Sequence, residues 1–268
     1  MLDDLKRRIA AVQRLNAPAK AVYGVSPRPV DRPLKDGPGG MFHCPVCGGR
    51  YRRFLPFGLD MRRNARCPGC GSLERHRFLW LQLRDAYRLL RRRVRVLHVA
   101  PEPCIRGALA ANPGLRYVSV DMFDPAADTA ADLTALPFAS GEFDVAICSH
   151  VLEHVTDDRT AMAELYRVLA PAGRAAVMVP IDMKRAETFE DPSIDTAAGR
   201  NEAFGHPYHV RICGADYPGR LRDARFLVDP VHSDMLSPHR RRLWRINRTV
   251  LFDCRKPAGS GAKESGPA

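Results

Sequence analysis

The chain has 268 residues, of which 45% are hydrophobic and 27% charged, and a formal net charge of +12. The composition is that of an ordinary globular protein, and the length allows one sizeable core plus a small module. No run approaches the ~20 apolar residues that span a bilayer. The charged, amphipathic opening MLDDLKRRIAAVQRL has no apolar signal core, so a cytoplasmic location without membrane contact is expected.

The charge is unevenly spread. Residues 1–95 hold 22 Lys+Arg against 7 Asp+Glu, and the remainder holds 20 against 23. Such asymmetry suits either a solvated Arg-rich face or a surface for RNA or another polyanion. The arginines are scattered rather than banked into one run, which leans toward the solvated face.

In chain order, residues 1–15 predict a short amphipathic helix, and the Pro- and Gly-rich stretch 16–40 an extended linker. A cysteine module follows over 41–75. CPVCGG (44–49) and CPGCGS (67–72) are two Cys-Pro-x-Cys-Gly units with nineteen residues between Cys47 and Cys67. Each unit offers two thiolates on one edge, and the glycine after its second cysteine permits a tight turn. Cys44, Cys47, Cys67 and Cys70 thus form a tetrahedral sulfur set suited to zinc. Four cysteines leave no open coordination position, which favours a structural role. His43 and His76 flank the set and read as ordinary surface or interdomain residues. Tyr51, Phe54 and Phe57 interleave with Arg52, Arg53, Arg62, Arg63 and Arg66, either as a base-stacking RNA surface or as the core of the module. The isolated Cys104, Cys148, Cys213 and Cys254 read as buried small hydrophobes rather than disulfide partners.

Residues 76–93 place Phe78, Leu79, Leu83, Tyr87 and Leu90 at largely helical spacing and predict a linking helix. From 94 to 255 strands alternate with helices: VRVLHVA, a helix over 104–112, RYVSVDM, FDVAICSH, a helix over 157–169, RAAVMVPI, then FLVDPV and TVLFDCR. This implies βαβ units and a mostly parallel, doubly wound α/β sheet. Asp157 or Thr156 is placed to cap the 157–169 helix, and Gly173 to end it. Residues 256–268 are small, polar and expected to be disordered.

In such a sheet a nucleotide binds at the carboxyl ends of the central strands. Asp121 ends the second strand, placed to accept both ribose hydroxyls. Asp132 and Leu133 fall where an adenine would lie, the carboxylate toward the exocyclic amine and the apolar side chain against the ring. A nicotinamide enzyme would need GxGxxG after the first strand, and the sequence has none there.

The order Asp121, DLTALPF, FDVAICSHVLEHV and ELYRVLAPAGRAAVMVP resembles class I S-adenosylmethionine-dependent methyltransferases of the type 11 kind. The likeness is close over 95–182 and looser to 254. It implies a Rossmann-like sheet of seven strands with the last antiparallel, and methyl transfer from the cofactor's sulfonium to a nucleophile. The two CPxCG units with GSLERHR resemble a subgroup in which a zinc-ribbon-like module precedes this domain. One departure stands out. Where the family has an acid followed by Gly-x-Gly, this chain has LHVAPEPC (97–104), so that His98 replaces the acid, Ala100 the first glycine and Glu102 the second. Glu102 is then the carboxylate available to the methionine ammonium. The resemblance completes the cofactor set with Met122, Ser149 and His150.

His150 and His154 lie four apart in HVLEH. The resemblance places His150 near the methionine portion, and His154 is either substrate-facing or a packed anchor. Residues 182–212 read as a long irregular insertion at the carboxyl end of the sheet, a lid or substrate wall. It carries His206 and His209, the general-base candidates, since imidazole titrates near neutral pH; either could instead satisfy loop backbone. The leading expectation is methylation of a small-molecule acceptor at oxygen or nitrogen. An RNA acceptor gripped by the basic module is the second, and a non-catalytic zinc adaptor with a lost cofactor site the third.

Overall fold

The computed structural model describes residues 41–58, 61–91 and 93–258. The helix expected over 1–15, the linker over 16–40 and most of the tail lie outside them. The chain forms two compact units. Among the described residues, one draws on 41–87 together with Glu102–Ala108 and Ser233–Thr249, and the other holds Arg88–Pro101, Leu109–His232 and 250–258.

The first unit is built from two small ribbons. Strands β1 (Phe42–His43) and β2 (Arg50–Tyr51) pair antiparallel, as do β3 (Leu55–Phe57) and β4 (Arg62–Arg66). Helix α1 (Glu74–Leu81) follows and runs on into a wider π-type turn over Gln82–Ala86. The core is Phe42, Tyr51 and Phe54 with Cys44 and Cys67. The Phe54 ring meets Phe42 and Tyr51 edge-on at centroid distances of 5.7 and 5.8 Å, the geometry that ring quadrupoles favour. Tyr51 and Phe54 are therefore core residues, not exposed stacking platforms. Arg77 is fully buried here. It donates to the carbonyls of Ser72 (2.5 Å), Ala65 (3.0 Å), Trp244 (2.7 Å) and Arg245 (2.6 Å), and so joins the cysteine module to the helix Pro238–Trp244. Trp244 Nε1–H also donates to His43 Nδ1 at 3.3 Å.

The second unit is the sheet. Strands β5 (Val94–Val99), β6 (Leu115–Asp121), β7 (Thr129–Ala130), β8 (Phe143–Ser149) and β9 (Leu169–Met178) run parallel. Helix α3 (Asp158–Val168) falls between β8 and β9, and helix α2 (Pro103–Ala110), most of which belongs to the first unit, falls between β5 and β6 in the chain, as expected. An outlying ribbon pairs β10 (Phe189–Glu190) with β11 (Arg211–Ile212). Strands β12 (Leu227–His232) and β13 (Val250–Arg255) complete a seven-stranded order β12-β13-β9-β8-β5-β6-β7, with β13 antiparallel to both neighbours. Strand β5 thus has β6 on one side and β8 on the other, which makes its carboxyl end the point where the order reverses. The doubly wound, Rossmann-like sheet expected from the sequence is present. Val, Ile and Leu side chains of the central strands pack with Met162, Leu165, Tyr217, Phe226 and Phe252 in one core, which also takes Cys148, Cys213 and Cys254.

Asp157 caps α3, its carboxylate accepting from Thr160 N–H at 2.9 Å. Gly173 does not end that helix. It lies within β9, where a Cβ would come 2.7 Å from the Ala170 carbonyl, so the glycine serves close backbone approach, and Ala172 beside it takes the positive φ. The 182–212 stretch is more regular than expected. Helix α4 (Ala197–Phe204) is capped by Thr196 and closed by Gly205 in the left-handed conformation, and the β10–β11 ribbon brings its two ends together.

Candidate active site and metal centres

In the cysteine module, Gly48 (φ 71°) and Gly71 (φ 74°) occupy the left-handed region at matching positions of the two CPxCG turns. Their N–H groups donate to the Cys44 and Cys67 carbonyls at 2.8 and 2.9 Å. The turns aim the thiols at one point: Cys44 and Cys70 sulfurs lie 3.6 Å apart, and Cys47 and Cys67 sulfurs 3.8 Å apart. All four ligand atoms lie within 4.8 Å of one another. A tetrahedral ion with Zn–S bonds of ~2.3 Å holds sulfurs ~3.8 Å apart, so the four cysteines fit zinc. The Tyr51 hydroxyl stands where a Cβ on Gly49 or Gly69 would sit, which ties one glycine of each turn to that ring. His43 and His76 do not join the set. His76 Nδ1 accepts from Leu73 N–H at 3.3 Å, and its Nε2 lies 3.8 Å from Glu102 Oε1.

A second constellation lies along the carboxyl ends of β6, β5 and β8. Val99 is in register with Val120 on one side and Cys148 on the other. The next residue on each strand end is Asp121, Ala100 and Ser149, a row across the reversal point of the sheet, where open α/β sheets bind nucleotides. Ala100 has φ 45° and donates its N–H to the Val120 carbonyl at 2.8 Å. The left-handed backbone for which a glycine is suited is therefore kept with an alanine, at a cost of ~1–2 kcal/mol. Asp121 Oδ1 accepts from Phe123 and Asp124 N–H groups at 2.7 and 2.9 Å, which fixes the carboxylate and leaves Oδ2 for a ligand. Met122 beside it is exposed. Ser149 Oγ is buried and has no hydrogen-bond partner among the described residues. An orphaned hydroxyl and a fixed carboxylate on the same sheet edge suit a polar ligand such as a nucleoside cofactor.

The remaining cofactor candidates take varied places. Asp132 is exposed on the loop after β7, with Oδ1 accepting from Thr134 N–H and Oγ1–H at 2.8 Å each. The Leu133 side chain is 5% exposed in the core, so a ligand would meet this residue through its backbone and not, as expected, through an apolar face. His98 is corrected. It is 0% exposed, with Nδ1 3.0 Å from the Tyr117 hydroxyl, and a side chain enclosed within the sheet offers a ligand no surface. Glu102 lies with His76 in the first unit, where its Oε1 is 3.8 Å from His76 Nε2.

The third constellation is made of histidines. His150 (φ 56°) follows Ser149, and its Nδ1 lies 3.1 Å from Oε1 of Glu153. That carboxylate is 1% exposed. Burial pushes its pKa up, but the charge of His150 and its hydrogen bond, with His154, outweigh burial and hold it at about 2. His154, His206 and His209 bring ligand atoms within 4.8 Å of one another, with ring centroids 4.6–5.7 Å apart. Burial and the neighbouring His154 charge push His206 down, and His209 to about 4. The three histidines named as catalytic candidates thus meet in one cluster, although more than fifty residues separate His154 from His209. Arg211 makes this possible. Buried, it donates to the carbonyls of Leu152 and Val155 at 2.6 Å and Thr156 at 2.9 Å, and pairs with Glu190 at 2.9 Å. Val210 N–H also donates to the Glu153 carbonyl at 2.9 Å. No sequence pattern marks Arg211 for that role; its signal is spatial.

A family profile described as "Methyltransferase domain" matches residues 105–177. These residues span β6 to β9, including the Asp121 and Ser149 strand ends. Over these residues the sheet carries a methyltransferase domain. The chain is similar to the solved [4+2]-cyclase SpnF, with a TM-score of 0.51 and 18% identity over 80% of this chain and 91% of that one; at that identity the likeness shows the fold alone. Among curated proteins, demethylmenaquinone methyltransferase of Streptomyces avermitilis is 47% identical over 49 residues. The ubiquinone/menaquinone biosynthesis C-methyltransferase UbiE of Klebsiella pneumoniae is 46% identical over 80 residues. The matched stretches are 18% and 30% of this chain, and they span 21% and 28% of those relatives. Among the described residues no helix is long and apolar enough to cross a membrane.

Proposed function

We propose that this protein transfers a methyl group from S-adenosylmethionine to a small-molecule acceptor, with a structural zinc ion in its four-cysteine module. The observation that carries this reading is the Ala100–Asp121–Ser149 row at the reversal point of the sheet. Asp121 would accept from the ribose hydroxyls through Oδ2, with Met122 against the adenine and Asp132 toward its amine. Ser149 and His150 would line the methionine portion. S-adenosylmethionine supplies a methyl group already activated on its sulfonium. The chain's part is then to align the acceptor and manage its proton.

His154, His206 and His209 are proposed as the acceptor-side groups, because they cluster on the loop after β8 and on the segment docked against it. Burial favours the neutral form of His206 and His209, and such imidazoles can take a proton or polarise a hydroxyl. An oxygen or nitrogen acceptor is expected from the sequence, and relatives named as C-methyltransferases widen this to an activated carbon. Calorimetric titration with S-adenosylmethionine, paired with mass spectrometry of small molecules that co-purify, tests the reading. Saturable cofactor binding supports it; no binding at millimolar cofactor leaves a non-catalytic adaptor in its place.

A further inference from the structure

The geometry points to a second metal site, in which His154, His206 and His209 bind a divalent first-row transition ion, zinc foremost. The three ligand atoms already lie within 4.8 Å of one another. A tetrahedral ion with Zn–N bonds of ~2.1 Å holds its nitrogens about 3.4 Å apart, so side-chain turns on the order of 1 Å close the site.

The hydrogen bonding of His154 favours a ligand. Its Nδ1 lies 3.0 Å from the Tyr208 carbonyl, an acceptor that carries no proton, so Nδ1–H must donate and Nε2 is the nitrogen left for a ligand. Metal-bound histidines are commonly oriented in this way by a backbone carbonyl on the other ring nitrogen. At His206, Nδ1 accepts from Tyr208 N–H at 3.3 Å. This long bond is the one that binding through Nε2 would give up as the proton moves to Nδ1.

Charge supplies the second, independent observation. Glu153 Oε1 lies 4.0 Å from His154 Nε2. Its Oε2 is buried and has no hydrogen-bond partner among the described residues. A buried carboxylate with an unmatched oxygen is costly unless positive charge stands nearby, and a divalent ion at the adjoining imidazoles provides it. Three imidazoles also leave an open coordination position, unlike the four thiolates of the cysteine module. An acceptor oxygen bound there would be polarised toward its anion.

The inference does not depend on methyl transfer, since metal content is read without cofactor or acceptor. Full-length protein is dialysed against micromolar zinc, washed and analysed for metal. Two zinc ions per chain are expected in the wild type and one in His209→Ala, with Cys67→Ser losing the other. Zinc affinity at the histidine site should fall by about 100-fold or more in His209→Ala, since losing even an outer-shell partner costs ~10–100-fold. A wild type holding one ion, or a His209→Ala that keeps two with unchanged affinity, overturns the site. Should that variant fail to fold, imidazole ¹⁵N spectra of the wild type decide: zinc titration must shift three histidines together, and their remaining unmoved overturns it equally.

Discussion

The guanidinium of Arg77 donates a 2.6 Å hydrogen bond to the carbonyl of Arg245, 168 residues further along the chain. With its bonds to Ser72, Ala65 and Trp244 it serves four backbone acceptors that water does not reach easily. Each buried acceptor left unsatisfied costs ~1–3 kcal/mol, so Arg77→Ala should destabilise the unit by at least ~3 kcal/mol. Arg77→Lys should rescue little, because an ammonium cannot reproduce the planar fork. Urea unfolding followed by tryptophan fluorescence, which reports Trp80 and Trp244, checks this; a Lys variant as stable as the wild type would refute it.

Chelation should separate the two units. Removing zinc from the cysteine module, or replacing Cys67 with Ser, is expected to loosen that module while the sheet keeps its fold, because the two cores are distinct and metal binding is part of the small unit's folding free energy. Hydrogen exchange should then rise over residues 41–87 and 233–249 and stay slow in β5, β8 and β9. Fast exchange throughout the sheet would contradict the prediction.

Asp121→Ala removes the charged acceptor proposed for the ribose hydroxyls. Hydrogen bonds to charged groups contribute ~1.5–3 kcal/mol each, so affinity for S-adenosylmethionine should fall by at least ~10-fold. Asp121→Asn, which retains an acceptor oxygen, should lose less. Calorimetry showing equal affinity for wild type and Asp121→Ala would remove the residue from the site.

Ala100 carries backbone strain where the methyltransferase family has glycine. Ala100→Gly relieves ~1–2 kcal/mol of left-handed strain and adds ~0.4–1 kcal/mol of unfolded-chain entropy. A net stabilisation of about 0.5–1 kcal/mol is expected, opposite in sign to the usual effect of introducing glycine. A lower thermal midpoint in Ala100→Gly would show that the strain is compensated by its neighbours.

Arg211 holds the loop carrying Glu153 and His154. Arg211→Ala leaves Arg220 as the remaining guanidinium partner of Asp158 and Glu190 and removes the side-chain donor from the carbonyls of Leu152, Val155 and Thr156. Each buried acceptor left unsatisfied costs ~1–3 kcal/mol, so the variant should unfold at lower denaturant. Cofactor affinity in the fraction still folded should change less than stability, because the Ala100–Asp121–Ser149 row lies on strands. A variant with wild-type stability would show that the loop is held by other contacts.

Local chemistry made much of this protein legible in its sequence. The CPxCG spacing sets the turn, the glycine and the sulfur geometry within a few residues, and Val-rich runs separated by helical stretches give the sheet. The strand-end row was readable for a related reason: residues ending parallel strands fall in one row whenever the strands align, as Asp121 and Ser149 do. Enclosure was not readable. His98 occupies a strand end in sequence, yet the pleat turns its ring into the sheet against Tyr117, and Leu133 turns into the core for the same reason. Nor could the sequence show that Ser233–Thr249, which separates β12 from β13, packs within the cysteine unit through Arg77. The histidine cluster likewise depends on Arg211 bonding three carbonyls far away along the chain. Short-range spacing determined the turns and strands; the long-range contacts exist only once burial makes each unpaired carbonyl and charge too costly to leave, and that the tertiary structure alone decided.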